Sequence, residues 1–264
     1  ISIIIMISFL VLGISLVTNT GESKVDAPKW SNGDDWYYKL TRKEGEATLK
    51  AEVTSENANF KIDETTHKCY MVERQWNLPN STSFIKKFYR KEDLARVGEI
   101  NQEGKRTYFG EPLNRLDFPL EIEEFWVGNT LQYEQGMHEE KGKVKSKVNY
   151  TYKVVEKTEV SVKAGTFDAY KLNGTIIHND PSGPGTSKDE YKAYVHFYYA
   201  PAVKNYIKIV NYYGSTEMGT QELYSFNVSD TDNNDSPSLG TITLGATAIS
   251  MVVLYNIVKK KREE

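Results

Sequence analysis

The sequence predicts an all-β fold, an antiparallel sheet that is curled or closed. Three observations carry that expectation. Tyr, Val, Thr, Ile and Phe, which suit a pleated and half-buried surface, are abundant, with 18 tyrosines among 264 residues. From Trp30 onward, short runs with apolar residues at alternate positions follow one another, broken by Gly, Asn, Pro or paired charges. Helical periodicity is scarce in the same region, where KEDL at positions 91–94 suggests no more than one turn.

Residues 1–20 open with an uncharged apolar run that ends at Asn19, Thr20 and Gly21. Its length suits a secretory signal peptide or an uncleaved signal-anchor, and both readings stay open. The body, 21–227, contains the strand runs DDWYYKLT, EATLKAEVTS, HKCYMVERQW, STSFIKKFYRK, KVNYTYKVVEK, TFDAYKLNGTII, EYKAYVHFYYA, KNYIKIVNYYG and TQELYSFNV. About a dozen strands at this spacing suit an antiparallel rather than a parallel α/β sheet. Gly33-Asp34 and Gly128-Asn129 are each followed by a tyrosine five positions after the glycine, Tyr38 and Tyr133. Read as turn chemistry that launches a strand, the repeat divides the body into two similar halves, 28–120 and 121–227.

Residues 228–238 are polar and acidic, a flexible stalk by composition. Residues 239–258 carry no charge and are long enough to cross a hydrocarbon core of about 30 Å as a transmembrane helix. Lys259, Lys260, Lys261 and Arg262 follow at once in the 259–264 tail, and such charge marks the cytoplasmic side. The body is therefore expected outside the cell, with membrane lipid met through 239–258. Removing the tail's four basic and two acidic residues leaves 29 basic and 34 acidic, a balance that argues against a nucleic-acid partner.

The residues give little support to catalysis. His67, His138, His178 and His196 are far apart and lack metal-ligand spacing, and His138-Glu139-Glu140 is not the His-Glu-x-x-His of a zinc protease. No Gly-x-Ser-x-Gly elbow occurs, and Ser182-Gly183-Pro184-Gly185 reads as a hairpin loop. Adjacent carboxylates such as Glu123-Glu124 point to opposite faces of a strand. No catalytic residue, metal or cofactor is expected. Cys69, the single cysteine, sits among alternating apolar residues and reads as a small buried hydrophobe. Asn80, Asn149, Asn173, Asn227 and Asn234 open Asn-x-Ser/Thr sequons, candidate glycan acceptors in an exported chain.

The stretch Val160-Ser-Val-Lys-Ala164-Gly165-Thr166-Phe167-Asp-Ala169-Tyr170-Lys-Leu172 resembles the V-x-V-x-A-G-T-F-x-A-Y signature of exported DUF3108-like and related archaeal and bacterial surface domains. The corner Tyr199-Ala200-Pro201-Ala202-Val203-Lys204 also resembles theirs, with Ala202 where glycine is usual. The resemblance implies a strongly curved antiparallel sheet or half-barrel, similar to the lipoprotein carriers, and no catalytic residue. The expected function is that of a non-enzymatic, membrane-anchored surface protein that binds a hydrophobic ligand, a glycan or an envelope partner. Its rival is a structural component of the envelope. In the run from Tyr191 to Tyr199, whose wetter face is also aromatic, Tyr194 and Phe197 are candidate lining residues, together with Tyr206.

Overall fold

The computed structural model describes residues 24–43, 45–79, 81–179 and 190–229, the side chains of 190 and 191 excepted. The predicted segments 1–20 and 239–264, the stalk from residue 230 on, and the sequons at Asn80 and Asn234 lie outside the described residues. No helix among the described residues is long and apolar enough to cross a membrane.

The described chain forms β1 (Asp35–Arg42), β2 (Gly45–Ile62), β3 (Thr65–Leu78), β4 (Ser81–Arg90), β5 (Arg96–Asn101) and β6 (Arg106–Leu113). It continues with β7 (Phe125–Gln135), β8 (Lys143–Val162), β9 (Gly165–Asn179), β10 (Glu190–Ala200), β11 (Asn205–Tyr213) and β12 (Thr216–Asn227). Each strand pairs antiparallel with the next, and β12 returns to pair with β1, Trp36 opposite Phe226 and Leu40 opposite Gln221. The sheet is thus a closed barrel, and the curvature expected of a half-barrel runs on to closure. Closure pairs the two strands that an open sheet would leave as bare edges. The segments 28–120 and 121–227 supply β1–β6 and β7–β12, two arcs of this one barrel.

A clamp fastens the β1 seam. The indoles of Trp30 and Trp36 donate to the carbonyls of Lys204 (2.9 Å) and Val203 (2.8 Å). Those carbonyls belong to the corner between β10 and β11, a 3₁₀ turn over Pro201–Val203 closed by Lys204 in the left-handed region (φ 56°). The Lys204 ammonium donates to the Ser229 carbonyl at 2.8 Å, and the backbone and hydroxyl of Ser229 both donate to Asp34. Buried Asp34 therefore joins the start of β1 to the end of β12.

Alternation decides what faces the lumen. Tyr70 and Val72 on β3, Tyr152 and Val154 on β8, and Phe197 and Tyr199 on β10 are buried there, in two clusters centred on Trp36 with Leu49 and on Tyr152 with Phe197. A third, smaller cluster of Phe60, Cys69, Phe88, Val97 and Tyr108 uses the opposite face of β3 and β4, under the end of β2. Burial pushes the Cys69 thiol up to about 12, as befits a packed hydrophobe.

Two local expectations differ from what is observed. Gly33 makes a turn at φ 91°, but Gly128 lies inside β7, where the Tyr150 ring rests against its Cα and any Cβ would collide with it. The second glycine serves close ring approach rather than turn chemistry, so the two spacings arise from different local structures. Positions 91–93 form a turn, with Leu94 at φ 58°, and no helix. At Gly165 (φ 140°) the hairpin between β8 and β9 turns sharply, and Phe167 packs edge-on against Phe226.

The pairing of β4 with β5 holds a bulge. Lys87 opposes Glu99 and Phe88 opposes Gly98, but Tyr89 then opposes Arg96, leaving Val97 as the extra residue. Gly98 is needed beside it: a Cβ there would stand 2.8 Å from the Thr107 carbonyl oxygen and 2.6 Å from the Phe60 ring. Gly98→Ala is expected to destabilise the barrel by about 1–3 kcal/mol, an overpacking cost read from the urea midpoint. A midpoint equal to wild type would mean that the bulge tolerates a side chain.

Candidate functional site

The lumen is not uniformly apolar. Arg74 follows Tyr70 and Val72 on the inward phase of β3, and Lys87 and Tyr89 share the inward phase of β4. Arg96 and Glu99 stand three apart on β5, a spacing that alternation would send to opposite faces. The bulge shifts the phase by one, so both face inward, opposite Tyr89 and Lys87. Arg115 enters from the connection between β6 and β7, beside Leu113 and Leu116.

A cavity of about 80 Å³ between the two apolar clusters is bordered among others by Tyr38, Arg74, Tyr89, Arg96, Arg115 and Tyr206. Rings hold the cations in place. The Arg74 guanidinium lies 5.0 Å from the Trp76 centroid, with the Lys87 ammonium 6.0 Å from the same ring. Arg96 stands 4.6 Å over Phe109, and Arg115 5.9 Å over Phe197. Such stacking is attractive by about 0.5–2 kcal/mol per pair, but it provides no hydrogen-bond acceptor.

Negative charge is scarce among them. Glu99 lies 3.5 Å from Lys87 and 3.8 Å from Arg96, and neither Arg74 nor Arg115 forms an ion pair among the described residues. Burial works against ionised Glu99, yet Lys87 and Arg96 overcome it and hold the carboxyl below its ordinary value. Lys87 is driven well down, first by burial and then by Arg74 and Arg96, with Glu99 opposing. Burial, aided by Arg115, pushes Arg96 down to about 10. Burial works against the Arg115 charge, but Tyr152, Tyr206, Tyr89 and Glu99 together outweigh it and raise its value. Arg96 keeps 17 % of its side-chain surface accessible and borders the cavity.

Several polar atoms here lack protein partners. The buried Nε atoms of Arg74, Arg96 and Arg115 meet no acceptor, and the hydroxyl of Tyr199 meets no partner. Burial raises the pKa of the Tyr152 hydroxyl, with Arg115 and Arg96 opposing, and that hydroxyl meets no hydrogen-bond partner. The hydroxyl of Tyr38, by contrast, donates to the Tyr206 carbonyl at 2.9 Å. Buried polar atoms normally find partners, so this concentration is a property of the site.

Of the aromatic candidates from the sequence, Phe197 and Tyr206 come together in the lumen with ring centroids 4.9 Å apart, and Tyr206 borders the cavity. Tyr194 lies on the opposite face of β10, its ring beneath the Lys192 ammonium at 5.0 Å. Asn173 and Asn227 are exposed, while Asn149 is half-buried on β8. Arg74, Lys87, Arg96, Glu99 and Arg115 had not been singled out from the sequence. Arg74 and Lys87 carried a readable signal, a charge on the apolar phase of a strand. No group of three or more His, Cys, Asp or Glu able to hold a metal ion occurs among the described residues.

No family model and no curated protein matches the chain. Solved structures similar to it include a candidate lipoprotein from Parabacteroides distasonis, 12% identical over 78% of this chain and 100% of that one, at a TM-score of 0.46. A candidate exported protein with a YmcC-like fold from Bacteroides fragilis is 11% identical over 78% of this chain and 100% of its own, at 0.47. The hypothetical lipoprotein YmcC from Escherichia coli is 8% identical over 73% of this chain and 84% of its own, at 0.37.

The depressed Lys87 makes stability depend on alkaline pH. Between its lowered folded value and 10.5 the unfolded chain binds the proton that the folded chain refuses, so stability rises with pH through that window. Lys87→Met removes this dependence. In urea unfolding, wild type is expected to gain stability relative to that variant as pH rises toward 10.5. A constant difference across that range would show that Lys87 titrates alike in both states.

Proposed function

We propose that the chain is a cell-surface protein, tethered to the membrane by residues 239–258 with its C-terminus cytoplasmic, whose barrel binds a ligand in its lumen and performs no catalysis. The observation that carries this reading is the cavity between the two apolar clusters, where buried guanidinium and phenol groups lack protein partners. A group that enters there gains partners already oriented by packing, the arrangement that small-molecule sites share. The uncharged segment and its basic tail support the tether and an exterior position for the body.

The cavity narrows the ligand. About 80 Å³ corresponds to roughly five to eight water-sized spheres, so it encloses a small group rather than a whole acyl or sugar chain. A larger hydrophobic ligand or a glycan would place only one end inside. The second reading, a structural subunit of an envelope assembly, is favoured by the outer face of β7, where Phe125 and Val127 are 61% and 67% exposed beside Leu131. In that case the partner would meet β7, with the lumen serving stability alone.

Native mass spectrometry of the full chain, extracted from its own membrane, separates the two. Lumen binding predicts a retained small mass that disappears in Ala51→Leu, which fills the cavity from β2. A bare monomer in both proteins would contradict it, and a mass that survives Ala51→Leu would put the bound molecule elsewhere. A homo-oligomer or protein complex lost on Val127→Lys would favour the structural reading. The same spectrum reports whether the mature chain retains residues 1–20 and whether glycans are attached.

A further inference from the structure

We propose that the lumen cavity is an oxyanion site, and that a carboxylate or phosphate group completes it by lying among the guanidinium groups of Arg74, Arg96 and Arg115. The inference rests on the ligand-binding reading above and assigns the chemical class of the ligand.

Charge is the first argument. Four cationic side chains, Arg74, Lys87, Arg96 and Arg115, act on one another within the lumen, and Glu99 is the one carboxylate paired with any of them among the described residues. Even with Lys87 neutral, three guanidinium groups face a single carboxylate. Uncompensated buried charge is costly, and an arginine cannot shed its proton as a lysine can. A neutral ligand would leave that excess in place, and water would solvate it only in part. An anion removes it.

Geometry is the second argument. The guanidinium carbons of Arg74, Arg96 and Arg115 lie 5.0, 4.6 and 5.9 Å from the ring centroids of Trp76, Phe109 and Phe197, and all three residues border the cavity. The Nε atoms of all three are buried without a protein partner. A guanidinium edge is the fork that matches a carboxylate or phosphate with two parallel hydrogen bonds. Tyr199, whose buried hydroxyl has no protein partner, also borders the cavity. Size agrees as well: the five heavy atoms of a phosphate, or the end of a fatty acid, fit a space of about five to eight water-sized spheres. The same chemistry is offered by a free anion and by the head of an anionic amphiphile, with its tail outside the cavity.

The test is unfolding of the full chain in a neutral detergent, in chloride and in sodium phosphate at equal ionic strength, and with dodecyl phosphate as amphiphile. Binding to the folded state alone raises the folding equilibrium constant by a factor of about 1 + [L]/Kd, or 100-fold at a concentration of 100 Kd. Phosphate is expected to raise the wild-type midpoint above chloride, and Arg115→Met to remove that response while being at least as stable as wild type in chloride, because an unpaired buried charge has gone. Arg74→Gln, which keeps polarity and bulk, is expected to weaken the response and serves if Arg115→Met does not fold. A response to dodecyl phosphate at far lower concentration identifies an amphiphile head as the source, and equal responses identify a free anion. An equal phosphate response in wild type and variants, or no response to either probe, overturns the assignment. If a neutral molecule is retained in the native spectrum while neither probe acts, the lumen binds a ligand but not an oxyanion. If nothing is retained and neither probe acts, both readings fall.

Discussion

Closure of the sheet at the seam between β1 and β12 is the constraint on which the rest depends. It pairs the backbone of the first and last strands, and it creates an inside. Charge that would be unremarkable on an open sheet becomes consequential once protein encloses it. The seam carries its own reinforcement: two indoles bound to the carbonyls of one tight corner, and Asp34 tying Ser229 back to the start of β1. A corner residue in the left-handed region, Lys204, turns its carbonyl toward Trp30 and its ammonium toward Ser229, so one residue serves both contacts.

Within that enclosure, packing and electrostatics pull in different directions. The apolar clusters around Trp36 and around Tyr152 fill most of the lumen in the usual way. Between them lies a band of cations whose burial gains nothing for folding alone, since well-packed apolar residues commonly replace buried charges at no loss of stability. The rings beneath the guanidinium groups make the arrangement tolerable without neutralising it. The proposed oxyanion site rests on this band, since preorganised cations lose little entropy when an anion arrives.

Much of the fold was legible in the sequence, and the reasons are local. Runs such as KVNYTYKVVEK and EYKAYVHFYYA announce strands because one phase is consistently apolar, and their faces fall as alternation places them. β5 and β6 escaped because RVGEIN and RTYFGEPL lack that signal: in β5 the bulge puts Arg96 and Glu99 on one face and Gly98 on the other. Whether the sheet closes is a property of the pairing between its first and last strands, which no local pattern encodes. The same holds for the site. Phe197 and Tyr206 could be nominated from aromatic alternation, whereas Arg115 lies in a connection and reaches the lumen only through the path of that loop. Arg74 and Lys87 sat on the apolar phase of their strands; a charge out of place in an amphipathic strand is the signal that would have found them.

A ligand-binding lumen, an exterior position and a membrane tether fit together as one account, whose central claim is that an anion occupies the cation band. Anomalous diffraction from crystals of the full chain soaked in selenate, an anion of phosphate-like shape, tests it most directly. The account predicts a selenium peak inside the barrel, within hydrogen-bonding reach of Arg74, Arg96 and Arg115, and its loss in Arg115→Met. An empty lumen with selenate bound only at surface lysines would contradict it.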